Sequence, residues 1–127
     1  MIAIAAVKGK SYMELAAEDG MSGGEICLAA SDNTSCLGRI WYSMREENRQ
    51  AELLLLVAQE EVLREGLLRA ALNAAELAGA QTAVCRCPEM VPLLERLGFL
   101  REKEGWSVSI PAFFSRTCRN EKQQNMG

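Results

Sequence analysis

The sequence contains no histidine, and this absence excludes a large class of chemistry. Serine–histidine and cysteine–histidine catalytic devices both need an imidazole to accept the proton of the nucleophile. Cys85 and Cys87 form one closely spaced pair, but a closed zinc site would need further ligands from distant parts of the chain. We therefore expect neither a metal site nor histidine-dependent catalysis.

Basic tracts and long apolar runs are also missing. The net charge is -3, and no basic stretch interleaves with aromatic residues, so nucleic acid is not an expected partner. The apolar start MIAIAAVKGK lacks a basic leading segment and is too short for a signal peptide or a membrane span. We expect a cytoplasmic protein without membrane contact. Its odd number of cysteines is then expected to remain reduced: Cys27, Cys36, Cys85, Cys87 and Cys118.

The composition is that of an ordinary globular protein, with 49% hydrophobic and 24% charged residues among 127. A chain of this size buries roughly two-thirds of its unfolded surface, which is enough for a core. We expect one domain over residues 1–114. Residues 115–127 form a polar tail that is expected to be disordered.

Alternating or continuous apolar runs between turn residues predict the strands. Periodic leucine and alanine residues predict a helix from Arg64 to Ala78, ended by Gly79. A second helix begins at Pro88 and ends before Gly98, with its regular part starting near Val91 because Pro92 lies inside it. Ser11 and Glu14 form a candidate capping box for a helix through residue 17. The predicted strands are residues 1–7, 25–30, 37–44, 53–57, 82–87, 99–103 and 106–113, so the chain is a mixed α/β protein.

Three segments in this order resemble the GNAT acetyltransferase superfamily: EICLAASDNTSCLGRIWYS, AELLLLVAQEEVLREGLLRAAL and PEMVPLLERLGF. The resemblance covers about residues 25 to 114. It implies a mostly antiparallel sheet with helices on both faces. Members of the superfamily usually place two helices before the second strand, whereas this chain has room for one short helix. The wall of the acceptor site would then be thin, open or completed by a second subunit in a homodimer.

The resemblance also implies acetyl-CoA as co-substrate, with its pyrophosphate on backbone N–H groups where a helix begins. The superfamily motif, an Arg or Gln followed at fixed spacing by two small residues, falls on Leu63, Gly66 and Leu68, so one of three positions matches. A first-turn glycine without a ligand explains Gly66 equally well. An Asn that often contacts the cofactor is replaced by Cys87. The cofactor-binding residues implied in this way are Leu56, Val57 and Ala58 for the pantetheine arm, Leu63, Arg64, Glu65, Gly66, Leu67, Leu68 and Arg69 for the phosphates, and Cys87.

The implied reaction is direct attack of an amine on the thioester, assisted by a general base. Glu52 lies where this base commonly lies, although a solvated carboxylate at a strand start explains it equally well. The usual proton-donating Tyr is replaced by Leu94, which leaves Tyr42 as the nearest candidate acid. The sequence thus predicts an N-acetyltransferase acting on a small-molecule or peptide amine. The alternative is a non-catalytic domain of the same fold that binds a ligand or partner, or dimerises.

Overall fold

The computed structural model describes residues 1–115, which contain one seven-stranded sheet. The strands are β1 (Ala3–Ala6), β2 (Ile26–Ser31), β3 (Cys36–Arg45), β4 (Gln50–Ala58), β5 (Thr82–Cys85), β6 (Leu100–Glu102) and β7 (Gly105–Ser109). Their order in the sheet is β1-β2-β3-β4-β5-β7-β6, and neighbouring strands are antiparallel except β4 and β5, which are parallel. The predicted mixed, mostly antiparallel sheet is therefore confirmed.

Three helices connect these strands: α1 (Gly9–Asp19), α2 (Glu61–Leu77) and α3 (Val91–Arg96). The predicted stop at Gly79 is confirmed, because its N–H donates to the Glu76 carbonyl at 2.9 Å while Ala80 donates to Ala75 at 2.9 Å. This pair of hydrogen bonds requires a left-handed backbone at Gly79, whose φ is 106°, and glycine adopts that conformation without strain. Gly98 ends α3 in the same way. No helix within residues 1–115 has the length and apolar character that crossing a membrane requires.

Several predicted boundaries were wrong. Lys8, not Ser11, precedes the first turn of α1 and makes no side-chain cap, so the predicted capping box does not form. The last predicted strand stops at Ser109, and residues 110–115 turn into a helix, because Pro111 has no N–H to donate to a sheet. Strand β5 ends at Cys85, two residues earlier than predicted. Of the tail predicted over residues 115–127, Ser115 lies in this helix, whereas residues 116–127, with Cys118, lie outside the described residues.

The helices cover both faces of the sheet, as expected for this fold class. Helices α2 and α3 bury one face, whose core includes Ile40, Leu53, Leu67 and Leu94. Helix α1 covers part of the other face, around Trp41 and its neighbours. A single helix separates β1 from β2, which confirms the shortened N-terminal part.

An ion pair fixes α1 to the sheet. Asp19, at the last turn of α1, accepts hydrogen bonds from Arg39 Nε at 2.6 Å and Nη2 at 2.7 Å, and from Trp41 Nε1 at 2.6 Å. Tyr12 packs edge-on against the Trp41 ring, with 5.4 Å between the ring centroids. The Arg39 hydrogen bonds, aided by the one from Trp41, hold the pKa of Asp19 below its ordinary value. The Asp19 side chain is 7% exposed, so solvent screens this pair little.

We predict that Asp19→Ala lowers the free energy of unfolding by roughly 2–4 kcal/mol, because it leaves Arg39 and the Trp41 N–H without their acceptor. Chemical denaturation measures this loss, and Glu18→Ala is the matched control because Glu18 is exposed and 3.9 Å from Arg39.

The stabilisation by Asp19 is also expected to depend on pH, because the pKa of Asp19 is lower in the folded protein than in the unfolded chain. Its contribution to the free energy of unfolding is complete above the unfolded pKa of about 4 and disappears as the pH falls through the folded pKa. An Asp19→Asn difference that stayed constant down to the lowest pH would contradict this assignment.

Candidate functional site

The candidate site begins at a bulge in the middle of β4. Trp41 of β3 faces Leu55 and the next residue, Tyr42, faces Leu53, which leaves Leu54 without a partner in β3. The extra residue puts Leu54 and Leu55 on the α1 face, while Leu53 and Leu56 both face α2. A bulge of this kind bends the strand and increases its twist.

Strands β4 and β5 separate at this bulge. They pair only from Gln50 to Leu53 of β4, opposite Thr82 to Cys85 of β5. From Leu54 to Ala58, β4 has no strand partner on the β5 side within residues 1–115. We call the opening between residues 54–58 of β4 and the chain that follows β5 the fork. Backbone groups in such an opening can pair with a ligand instead of a strand.

Cys87 lies inside the fork. Its half-buried thiol donates to the bulge carbonyl of Leu54, with 2.9 Å between Sγ and O. The hydrogen bond from Cys85 lowers the pKa of Cys87, while the contact with Cys87 and burial raise the pKa of Cys85. The cysteine predicted at the cofactor position is therefore at the point where the two strands part.

Two cavities flank the end of β4. One, of about 680 Å³, lies on the β3 side. The other, of about 310 Å³, lies between the start of α2 and α3. Ala58, Gln59 and Arg64 line both cavities, so the end of β4 forms the wall between them. The predicted residues Leu56, Val57, Ala58, Leu63 and Arg64 all line the larger one.

Gly66 is not at the N-terminus of α2, contrary to the prediction from the sequence. The helix begins at Glu61, and the N–H of Arg64 already donates to the Glu60 carbonyl at 3.0 Å. Gly66 therefore lies in the second turn, where its N–H is used in a hydrogen bond within the helix and is not available to a ligand. Leu63 causes the early start, because it is buried one turn before Leu67 and extends the apolar stripe. The N–H groups left for an anion are those of the first turn, Glu61 to Leu63.

The residues predicted to bind the phosphates, 63–69, consequently lie within α2 and have different environments from one another. Leu63, Leu67 and Leu68 are buried in the core. Glu65 accepts a hydrogen bond from Arg69 at 3.1 Å, and the Arg69 guanidinium lies 5.2 Å from the Phe113 ring centroid, so Arg69 lines neither cavity. Among the two predicted cations, Arg64 is the one beside the cavities, where its Nη1 donates to the Ala58 carbonyl at 3.2 Å.

Arg96 of α3 is a further cation at this end of the sheet, and it was not predicted. It bridges Glu61 at 3.2 Å and Glu65 at 3.3 Å and lines the smaller cavity. Glu60 lines the larger cavity and Glu61 the smaller one. The start of α2 thus combines free N–H groups and cations with two carboxylates.

Glu52 is held by two arginines. One carboxylate oxygen accepts from Arg45 at 2.8 Å and the other from Arg86 at 3.0 Å, and the side chain is 13% exposed. Glu52 lies within β4 rather than at its start, two residues before the bulge. Its neighbours Ala51 and Leu53 face the α2 side, so Glu52 faces the other side of the sheet.

Tyr42 and Glu52 are not brought together. Tyr42 is 3% exposed in the core under α2, and its burial raises the pKa of the phenol. Since Glu52 is on the opposite face, the two predicted catalytic side chains are separated by the sheet. Leu94 is fully buried in the same core as Tyr42.

Sequence reasoning missed Arg86, Arg96 and the position of the bulge. Four consecutive leucines at 53–56 predicted a strand covered on both faces, but the same pattern does not show which leucine is extra. Glu52 is 34 residues from Arg86 and Glu61 is 35 residues from Arg96 in the chain, separations that no local pattern reveals. Within residues 1–115, no group of three or more His, Cys, Asp or Glu side chains is placed to hold a metal, and Cys27, Cys36, Cys85 and Cys87 are free thiols.

Comparison with solved structures identifies the fold. A structure from Exiguobacterium sp. 255-15 assigned as an acetyltransferase has a TM-score of 0.68 at 14% identity, over 92% of this chain and 98% of that one. The ribosomal-protein-S18-alanine N-acetyltransferase of Escherichia coli gives 0.67 at 14% identity, over 87% and 94%. A GNAT family N-acetyltransferase from Escherichia coli in complex with CoA gives 0.62 at 15%, over 86% and 81%.

The sequence matches no protein-family model and no curated protein sequence. The three structural similarities, all at low identity, therefore establish the fold. The chain has the GNAT acetyltransferase fold, with one helix between its first two strands.

Two glycines at this end of the sheet are expected to respond oppositely to alanine. A Cβ on Gly66 would come no closer than 3.8 Å to the Ile4 side chain, so Gly66→Ala should stabilise the protein by roughly 0.5–1 kcal/mol through helix propensity. A Cβ on Gly38 would meet the Ala58 Cβ at 2.8 Å and the Val57 carbonyl at 2.9 Å, so Gly38→Ala should destabilise it. Melting temperatures of both variants test the pair. Destabilisation by Gly66→Ala would contradict the assignment of Gly66 to the interior of α2 with room for a Cβ.

Proposed function

We propose that the protein is an acetyl-CoA-dependent N-acetyltransferase whose donor site is the fork and whose acceptor is a primary amine. The observation that carries the proposal is the fork itself, a bulged β4 whose edge from Leu54 to Ala58 is left unpaired on the side of the smaller cavity, with the larger cavity behind it. When bound, acetyl-CoA supplies the acetyl group as an activated thioester.

The residues around the fork fit such a ligand. The free edge of β4 offers backbone donors and acceptors to an amide-containing arm, which needs no particular side chains. At the end of this edge, the first-turn N–H groups of α2 and the cation of Arg64 suit phosphate. Glu60 and Glu61 oppose an anion there, so we expect weak binding.

Proton transfer is assigned to the β4–β5 side of the fork. Glu52 would accept the proton of the amine, which requires that it give up its hydrogen bond to Arg45 or Arg86. Cys87 is a proton-bearing group within the fork itself, and it is better placed than the buried Tyr42 to protonate the departing thiolate. Turnover should be slow, because Glu52 has to be released from an arginine before it can act.

A non-catalytic domain of this fold is the second candidate. It is favoured by the double pairing of Glu52, which leaves both carboxylate oxygens engaged. In that case Glu52 serves to join β3, β4 and the end of β5, and the fork binds a ligand or partner without turnover.

The donor site is tested by calorimetric titration with acetyl-CoA and CoA. We expect binding of both, and a rise in melting temperature that corresponds to about 2.7 kcal/mol at a ligand concentration of 100 times the dissociation constant. Arg64→Glu should weaken binding roughly tenfold or more, whereas Lys10→Glu on exposed α1 changes the charge equally and should have no effect. The absence of heat and of a thermal shift at millimolar ligand would overturn the donor site.

The reaction is tested by following CoA release from acetyl-CoA across a panel of amines. Glu52→Gln should lower the rate by about 10²–10⁴-fold if Glu52 is the base, whereas Tyr42→Phe should leave it unchanged. Equal rates for Glu52→Gln and the parent over the whole pH range would refute the base assignment. Binding of CoA without acetylation of any amine would favour the non-catalytic candidate.

A further inference from the structure

The two outer edges of the sheet differ in composition. The β6 edge has three residues, two of them charged, and is followed by Lys103 and Glu104. The β1 edge reads Ala-Ile-Ala-Ala, is uncharged, and all four residues are exposed. Soluble proteins normally protect a sheet edge by shortness or charge, because unpaired backbone groups attract further strands. The β6 edge is protected in this way and the β1 edge is not.

The backbone of β1 shows which groups are available. The N–H of Val7 donates to the Cys27 carbonyl at 2.9 Å. The backbone N–H and C=O groups of Val7 and, by alternation, of Ala5 and Ala3 therefore point toward β2. The N–H and C=O groups of Ile4 and Ala6 therefore point outward. Within residues 1–115 no strand pairs with them.

The side chains beside this edge are apolar. Ile4 faces α2, since its Cδ1 lies 3.8 Å from the position of a Cβ on Gly66, and Ile2 has the same parity in the strand. Ile2 is 51% exposed and Ile4 37%. On α2, Val62 lies one turn before Gly66 and is 82% exposed. Apolar surface of this kind next to an unprotected edge marks an interaction site.

We propose that β1 is the interface of a homodimer, in which the β1 strands of two copies pair antiparallel around a two-fold axis normal to the sheet. An antiparallel pair is symmetric, so the same outward groups of Ile4 and Ala6 serve both copies. The axis keeps both α2 helices on one face of a continuous fourteen-stranded sheet. Pairing of Ile4 with Ala6 of the other copy then places the two Ile4 side chains diagonally across the axis on that face.

Charge supports a second copy as the occupant. The pairing brings uncharged strands together, so two chains of net charge -3 meet where neither carries charge. Lys8 follows β1, and antiparallel pairing carries it toward Ile2 of the other copy. Ile2 lies beside Asp32, because Ala3 is paired with Ser31. A lysine and an aspartate therefore approach each other twice around the axis.

Sedimentation equilibrium over a range of concentrations tests the proposal with the full chain. We expect a reversible monomer–dimer equilibrium, and Ile4→Lys should raise its dissociation constant at least roughly tenfold. Leu100→Lys is the matched control, because Leu100 is 72% exposed on the opposite sheet edge and should leave the dimer intact. Melting curves establish that the variants are folded.

A second variant covers the case in which Ile4→Lys does not fold. Ala6→Pro removes an outward N–H and no bond to β2, and proline suits an edge strand. It should also abolish the dimer. A parent that is monomeric at every concentration overturns the proposal, as does a dimer that survives Ala6→Pro or is lost in Leu100→Lys. Formation of oligomers larger than the dimer also overturns the proposal, because a two-fold symmetric interface joins only two copies.

Discussion

The extra residue at Leu54 is the constraint on which the rest of the candidate site depends. Without it, Leu55 would point into the α2 core and β4 would run straight beside β5. With it, β4 changes which side chains it gives to each face and turns away from β5 after four residue pairs. The fork, the place of Cys87 against the Leu54 carbonyl and the cavities at the end of β4 all follow from this one residue.

Two packing arrangements hold the bulge in place. On the α2 face, Leu53 and Leu56 are fixed among the buried leucines of the helix, so β4 cannot slip by one residue without exposing them. On the other face, Leu54 and Leu55 pack against the cluster around Trp41, which Asp19 ties to α1. The short helix α1 thus contributes to the site, because it backs the two leucines that the bulge turns toward it.

The sequence predicted the elements well and the site less well, for physical reasons. Helix ends at Gly79 and Gly98 were predictable, because a left-handed residue after an apolar stripe is a local requirement. The start of α2 was not, because Gly66 suggested a loop while the burial of Leu63 decided the outcome. Tyr42 and Glu52 were both reasonable by residue type, but Tyr42 pairs with Leu53, the neighbour of Glu52, so the two side chains lie on opposite faces. This register depends on pairing between strands, which one sequence does not reveal.

The close approach of Gly38 to Ala58 has a mechanical consequence. Their backbones lie so near that no Cβ fits on Gly38, and eight residue pairs join β3 to β4. On the other side, only four residue pairs join β4 to β5, and Glu52 links the same two strands through Arg86. The junction between β4 and β5 is therefore held by half as many residue pairs as the junction between β3 and β4, and the Glu52–Arg86 pair reinforces it beside the fork.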